Sequence, residues 1–110
     1  MSLGDKTHAL LNVAGSDDTT PEKMKSMIAG LRSDTELLNT GAVLPMLQLA
    51  LQVALTPGND AESERRLGVI KTIASALAED YGREYLRMFL TQTVVARGNS
   101  EGLIGKILAK

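Results

Sequence analysis

His8 is the only histidine in the chain and cysteine is absent, so a zinc site would have to be built from carboxylates around a single imidazole. Neither an HxxxH nor an ExxH spacing occurs, and His8 reads as a solvent-facing residue near the N-terminus. The lack of cysteine also removes thiol nucleophiles, thiolate ligands and disulfides, and is compatible with a reducing cytoplasm. What remains for proton transfer is carboxylate, which falls in pairs at Asp17 and Asp18, Glu62 and Glu64, and Glu79 and Asp80. General acid–base work needs two such groups to converge on one substrate. Close neighbours in a helix point apart, and each pair has a simpler role. Asp17 and Asp18 suit a solvated loop, and Glu62 and Glu64 suit the positive end of a helix dipole. Glu79 and Asp80 are placed at i−4 and i−3 to pair with Arg83. The wider cluster of Glu79, Asp80, Arg83, Glu84 and Arg87 reads as a solvated face or the rim of an interface. Phosphate-cradling loops of the GxGxxG or GxxxxGK kind are missing. No catalytic residue, no cofactor-binding residue and no metal ligand is therefore expected, and the chain reads as a non-enzyme.

Recognition of nucleic acid is the next chemistry to weigh. Leu77, Ala78, Tyr81, Gly82 and Met88 partly fit a helix-turn-helix pattern, with Gly82 at the turn and Arg83 and Arg87 on the following helix. The fit fails where Arg83 and Thr91 stand at positions that should be apolar, and Leu86, Phe89 and Leu90 would waste a recognition helix on apolar surface. The net charge is −1 and no segment is strongly basic, whereas binding to phosphate backbones draws on a clustered Lys/Arg face. A DNA-binding regulator with a degenerate helix-turn-helix around Gly82 stays as an alternative, as does a small-ligand-binding helical bundle.

The elements that would carry these residues are dominated by one segment. From Leu37 to Asn59 there is no formal charge, and Ala42 to Leu55 is aliphatic apart from Pro45, Gln48 and Gln52. The two glutamines, at i and i+4, make one narrow polar stripe on a helix that is otherwise apolar. The aliphatic part is shorter than the roughly 20 residues a membrane-crossing helix needs, and no Lys or Arg within it would anchor an interface. It is expected to be the central helix of the core, over about Leu44 to Leu55, with Pro45 holding Leu44 out of the helix and Thr56, Pro57 and Gly58 marking the end. Gln48 and Gln52 are then candidate buried polar groups that need hydrogen-bond partners.

The other elements follow from caps and periodicity. Residues 3–14 suit a short helix that faces Leu10 and Leu11 inward and ends at Gly15, within an N-terminal segment, 1–20, that is only partly ordered. Thr20, Pro21 and Glu22 supply a capping hydroxyl, a proline at the first position and an acid in the first turn. Met24, Met27, Ile28 and Leu31 then repeat as a single buried stripe to about Arg32. Ser33 and Asp34 can cap a turn over Thr35 to Asn39. Asn59 and Glu62 have capping-box spacing ahead of Leu67, Ile70, Ala74, Leu77 and Tyr81. Beyond Gly82 the pattern continues through Tyr85, Leu86, Phe89, Leu90 and Val94 to Arg97, with Gly98 as a stop. Residues 60–97 form either one helix or two. No Ser, Thr, Asp or Asn follows Gly82 to cap a second helix, which favours a continuous helix about 55 Å long. Asn99 or Ser100 can cap a last helix with Leu103, Ile104, Ile107 and Leu108 on one face. That closing stretch, GLIGKILAK, has the composition of a membrane-active peptide but is too short and weakly charged to anchor alone. The N-terminus lacks the basic start and long apolar run of a secretory signal.

With 44% apolar and 23% charged residues, the composition is that of a folded globular protein. Aromatics are confined to Tyr81, Tyr85 and Phe89, so the core must be aliphatic, which favours helices over strands. The expected architecture is all-α: a single domain over 1–110, a bundle of four to six helices around the aliphatic helix. A 55 Å helix and an uncovered aliphatic segment would both need a second chain, so a homodimer is expected. The candidate interface is Met46, Leu49, Val53, Tyr81, Tyr85 and Phe89. Methionines 24, 27, 46 and 88 lean towards partner binding, although core filling accounts for them better. The expected function is a cytoplasmic, non-enzymatic protein–protein interaction module, an adaptor or regulator, with itself and another protein as partners and with no metal, cofactor, membrane or nucleic acid.

Overall fold

Caps written in the sequence set most of the element boundaries. The computed structural model describes residues 2–54, 58–95 and 101–108. Ser2 accepts from the Asp5 N–H to start α1, Leu3–Ala14. Thr20 accepts from the Lys23 N–H, with Pro21 as the first residue of α2, Pro21–Arg32. Asp34 caps the one-turn α3, Thr35–Leu38, through the Leu37 N–H. Asn59 and Glu62 form the expected capping box at the head of α5, Asp60–Tyr81. Each of these side chains satisfies N–H groups that the first helical turn leaves without partners.

The aliphatic helix, α4, runs Val43–Ala54, one residue ahead of the expected start at Leu44, and Pro45 does not hold Leu44 out of it. Proline in the first turn forfeits only an N–H that has no intrahelical acceptor there, and Leu44 takes helical angles despite its proline neighbour. The turn ahead of it uses Gly41 at φ 69°, a left-handed conformation that glycine adopts without Cβ clash. Of the residues expected to end α4, Thr56 and Pro57 lie outside the described residues.

Gly82 overturns the continuous helix. Its φ of 95° and ψ of 156° end α5 and begin α6, Arg83–Leu90. The Gly82 N–H still closes on the Ala78 carbonyl at 2.8 Å, and its own carbonyl accepts from the Leu86 N–H at 3.1 Å. α6 has no side-chain cap, since glycine is itself an acceptable N-cap residue. A single π turn, Thr91–Val95, follows, and the last helix is α7, Glu101–Leu108. The expected stop at Gly98 and caps at Asn99 or Ser100 lie outside the described residues, as does the Leu103 side chain.

The regular structure of the described residues is entirely helical, as expected, with seven α segments rather than four to six because α3 is one turn and Gly82 divides the longest pattern. α5 has the widest set of neighbours, touching α2, α4, α6 and α7, while α4 packs between α1 and α5. The core contains Met24, Leu31, Met46, Leu47, Leu51, Ile70, Ile73, Leu77 and Leu90, each essentially inaccessible. Val43, Ala50 and the inner face of α4 are buried too, so the chain covers its own aliphatic segment. No helix among the described residues is long and apolar enough to cross a membrane.

Candidate functional site

Three places in the fold gather candidate side chains, two of them charged and the third apolar and exposed. The first was invisible as a sequence motif. Arg66 sits on the first turns of α5 with a side chain only 5% exposed. Its Nε donates to Asp17 Oδ1 at 2.8 Å and its terminal nitrogen to Asp17 Oδ2 at 2.9 Å, a bidentate pair, and Glu62 lies one turn back at 3.4 Å. Arg65 joins through its own bonds to Asp17, one to the backbone carbonyl and one to the carboxylate. The Arg66 guanidinium holds the Asp17 carboxyl below its ordinary range, and Asp17 in turn raises Arg66. The loop is braced from inside by Thr19, which is buried and donates to the Val13 carbonyl at 2.5 Å. Asp17, expected to be a solvated loop residue, thus ties the α1–α2 loop to α5. Asp18 instead accepts from the Ser16 hydroxyl, which lowers its pKa.

A space of about 10 Å³ lies between Ala14, Thr19, Val53, Arg65 and Val69, room for one water. The Arg65 Nε faces the interior without a protein acceptor. This network is therefore a structural clasp with water-sized slack, and its carboxylates are occupied rather than poised for chemistry.

The second place is the charged cluster at the end of α5. Glu79 and Asp80, expected to pair with Arg83, pair across helices with Arg32 at 3.0 and 3.1 Å. Arg32 also donates to the Ala76 carbonyl at 3.1 Å, which fastens the end of α2 to α5. Arg83 instead donates to the Leu108 carbonyl of α7 at 2.9 Å, because the turn at Gly82 swings it away from the i−4 and i−3 carboxylates. Two residues beyond Arg32, Asp34 pairs with Lys6 at 2.8 Å and joins α1 to α3, which raises Lys6 and lowers Asp34.

The third place is apolar and exposed. Tyr81 and Tyr85 stack across the Gly82 break, with centroids 5.1 Å apart and planes 26° apart. Tyr85 is followed at i+3 and i+4 by Met88 and Phe89, so α6 continues the tyrosine stack as one apolar strip. Tyr81 is 47% and Met88 50% exposed, while Tyr85 and Phe89 are half-buried against the core. A shallow hollow beside Met88 is lined by Glu84, Arg87, Thr91 and Gln92.

The other expected interface residues divide. Met46 is wholly buried and belongs to the core, a correction to its place in the interface, because the inward face of α4 is covered by α1 and α5. Leu49 is half-buried against Gly15, and Val53 is half-buried beside the clasp. Gln48 and Gln52 are exposed, not buried. The polar stripe faces out because α4 needs only part of its circumference covered. Met24 is core, Met27 is packed on it, and His8 is exposed as expected. The connection at Gly82 is one residue, shorter than the three to four residues of a helix-turn-helix. No protein-family model, curated protein or solved structure matches this chain.

Proposed function

We propose that this chain is a small non-enzymatic helical interaction module, an adaptor or regulator, that pairs with a second copy of itself and docks another protein. The single observation that carries this is the strip Tyr81, Tyr85, Met88 and Phe89, where two of the large apolar side chains stand about half exposed on adjoining turns. Aromatic and methionine side chains are the types enriched at interface centres, and the flanking Glu84 and Arg87 supply the polar rim that such patches carry. Five of the six paired carboxylates are engaged in structure: Asp17 with Arg66, Asp18 with the Ser16 hydroxyl, Glu62 in the capping box, and Glu79 and Asp80 with Arg32. The absence of cysteine suits a reducing compartment, and we place the protein in the cytoplasm on that ground.

The pairing is expected through the strip and not through α4, whose buried face is already covered within the chain. Light scattering coupled to size exclusion over a concentration range is the test. Wild-type chain should give the mass of a dimer that falls to a monomer on dilution, and the double substitution Tyr81→Ser, Met88→Ser should be monomeric throughout with unchanged helicity. A wild-type monomer at about 100 μM, where standard interfaces are largely formed, removes self-association.

A further inference from the structure

We propose that the trough along the outer face of α5 is a docking site for an acidic amphipathic segment of a partner protein. Two adjoining hollows form it. One, of about 310 Å³, lies between α2 and α5, with Lys25, Ile28 and Arg32 on one side and Lys71, Ser75 and Glu79 on the other. The next, of about 360 Å³, shares Lys71, Ser75 and Glu79 and continues to Arg83, Leu86 and Ile107, where α6 and α7 close its far side.

Charge decides the occupant. The protein as a whole carries −1, yet the walls of this trough present Lys25, Arg32, Lys71 and Arg83 against Glu79 alone. Glu79 and its neighbour Asp80 are spent on Arg32, whereas Lys25, Lys71 and Arg83 make no ion pair among the described residues. The Arg83 guanidinium is held at the trough's end by its bond to the Leu108 carbonyl, which fixes its direction and leaves donors over. The bottom is apolar, built from Ile28, Ala76, Leu86 and Ile107.

Lys71 and Glu79 stand two turns apart on α5, about 12 Å, so a partner helix of three turns spans the trough. Its carboxylates would face Lys25, Lys71 and Arg83 while small aliphatic side chains meet the bottom, the helix-in-groove mode of peptide recognition. An apolar bottom with three spaced cations fits a protein segment better than a nucleic acid, whose binding depends on a dense row of phosphate contacts. The trough shares no lining residue with the Tyr81–Met88 strip, so the two surfaces stand or fall separately.

The test is fluorescence anisotropy with the full chain. The probe is a fluorescein-labelled amphipathic helical peptide with glutamates along its flanks and leucine and alanine on its inner face. Saturable binding is expected, weakening with added salt. It should fall by about tenfold or more in Lys25→Glu, Lys71→Glu and less in the double Gln variant, which guards against misfolding of the charge reversal. The Tyr81→Ser, Met88→Ser variant should bind as wild type, and a peptide with glutamine for glutamate should not bind. Three results overturn the proposal: no saturable binding, equal binding by wild type and charge-reversed protein, or tighter binding of a single-stranded oligonucleotide of matched charge.

Discussion

Arg66 keeps its positive charge in a nearly closed site because Asp17 reaches it from a loop and takes one edge of its guanidinium with both carboxylate oxygens. Removing one partner of such a pair leaves a charge without compensation, which costs more than the pair contributes. Asp17→Asn should therefore lower the urea midpoint more than Asp17→Asn, Arg66→Met, a comparison that denaturation curves at neutral pH would provide. The dependence on pH has a defined sign. Asp17 titrates below the ordinary carboxylate value of 3.8, so its contribution is full above that value and is lost as pH falls through the lowered one. Asp18 and Asp34 add in the same direction. The Asp17→Asn deficit should thus be present at neutral pH and fade only as pH falls below 3.8 and through the lowered pKa, where the wild-type carboxyl becomes protonated too. Lys6 runs the other way: raised above 10.5, it contributes below that value and is lost as pH rises through the raised one. Methionines separate by place rather than type. Met46→Ala should cost about 2–5 kcal/mol, as a fully buried side chain removed from a close-packed core does. Met88→Ser, at 50% exposure, should leave the monomer's stability within about 0.5 kcal/mol, a contrast that chemical denaturation resolves.

Helix α5 is where local preference and packing disagree, and its glycines show it. Gly68 lies in the helix interior, where alanine would ordinarily gain about 1 kcal/mol. A Cβ there would stand 2.6 Å from the Pro21 ring, so the first turn of α2 rests directly on the α5 backbone. Gly68→Ala should destabilise by about 1–3 kcal/mol through this overpacking, and a rise in melting temperature would show that α2 can withdraw at no cost. At Gly82 nothing lies within reach of an added Cβ, and the constraint is conformational. Its φ of 95° with ψ of 156° is a region open essentially to glycine alone. Gly82→Ala should therefore lose about 1–3 kcal/mol, whereas a continuous helix would gain from the same change. The sign of the shift in thermal melts decides between the two geometries. The consequence reaches the surface, because the turn places Arg83 on the Leu108 carbonyl and stacks Tyr85 on Tyr81.

The whole molecule measures 38 × 29 × 24 Å with a radius of gyration of 13.2 Å, the size of a close-packed chain of this length. The 22 residues of α5 span about 33 Å, nearly the long axis, so a 55 Å helix has no place in one compact unit. Small-angle scattering at the dilute limit should approach the single-chain dimension, with a reversible rise at higher concentration if the Tyr81–Met88 strip pairs two copies. An unchanged radius over the range would count against that pairing. The sequence alone determined the all-helical class and most element boundaries, because caps such as Thr20 with Pro21 and Asn59 with Glu62, and apolar spacings of three and four, act within one turn of chain. It also determined that Met24, Ile28 and Leu31 face inward, since one helical period suffices to state it. Only the tertiary structure decided which side of α4 is left to water, that Met46 is core while Gln48 and Gln52 are exposed, and that Asp17 seeks Arg66 and Arg32 seeks Glu79 and Asp80. The two ion-pair outcomes depend on neighbours more than forty residues distant in sequence, the covering of α4 depends on where α1 and α5 pack, and the direction of the chain beyond α5 depends on one glycine torsion that no periodicity within a helical turn encodes.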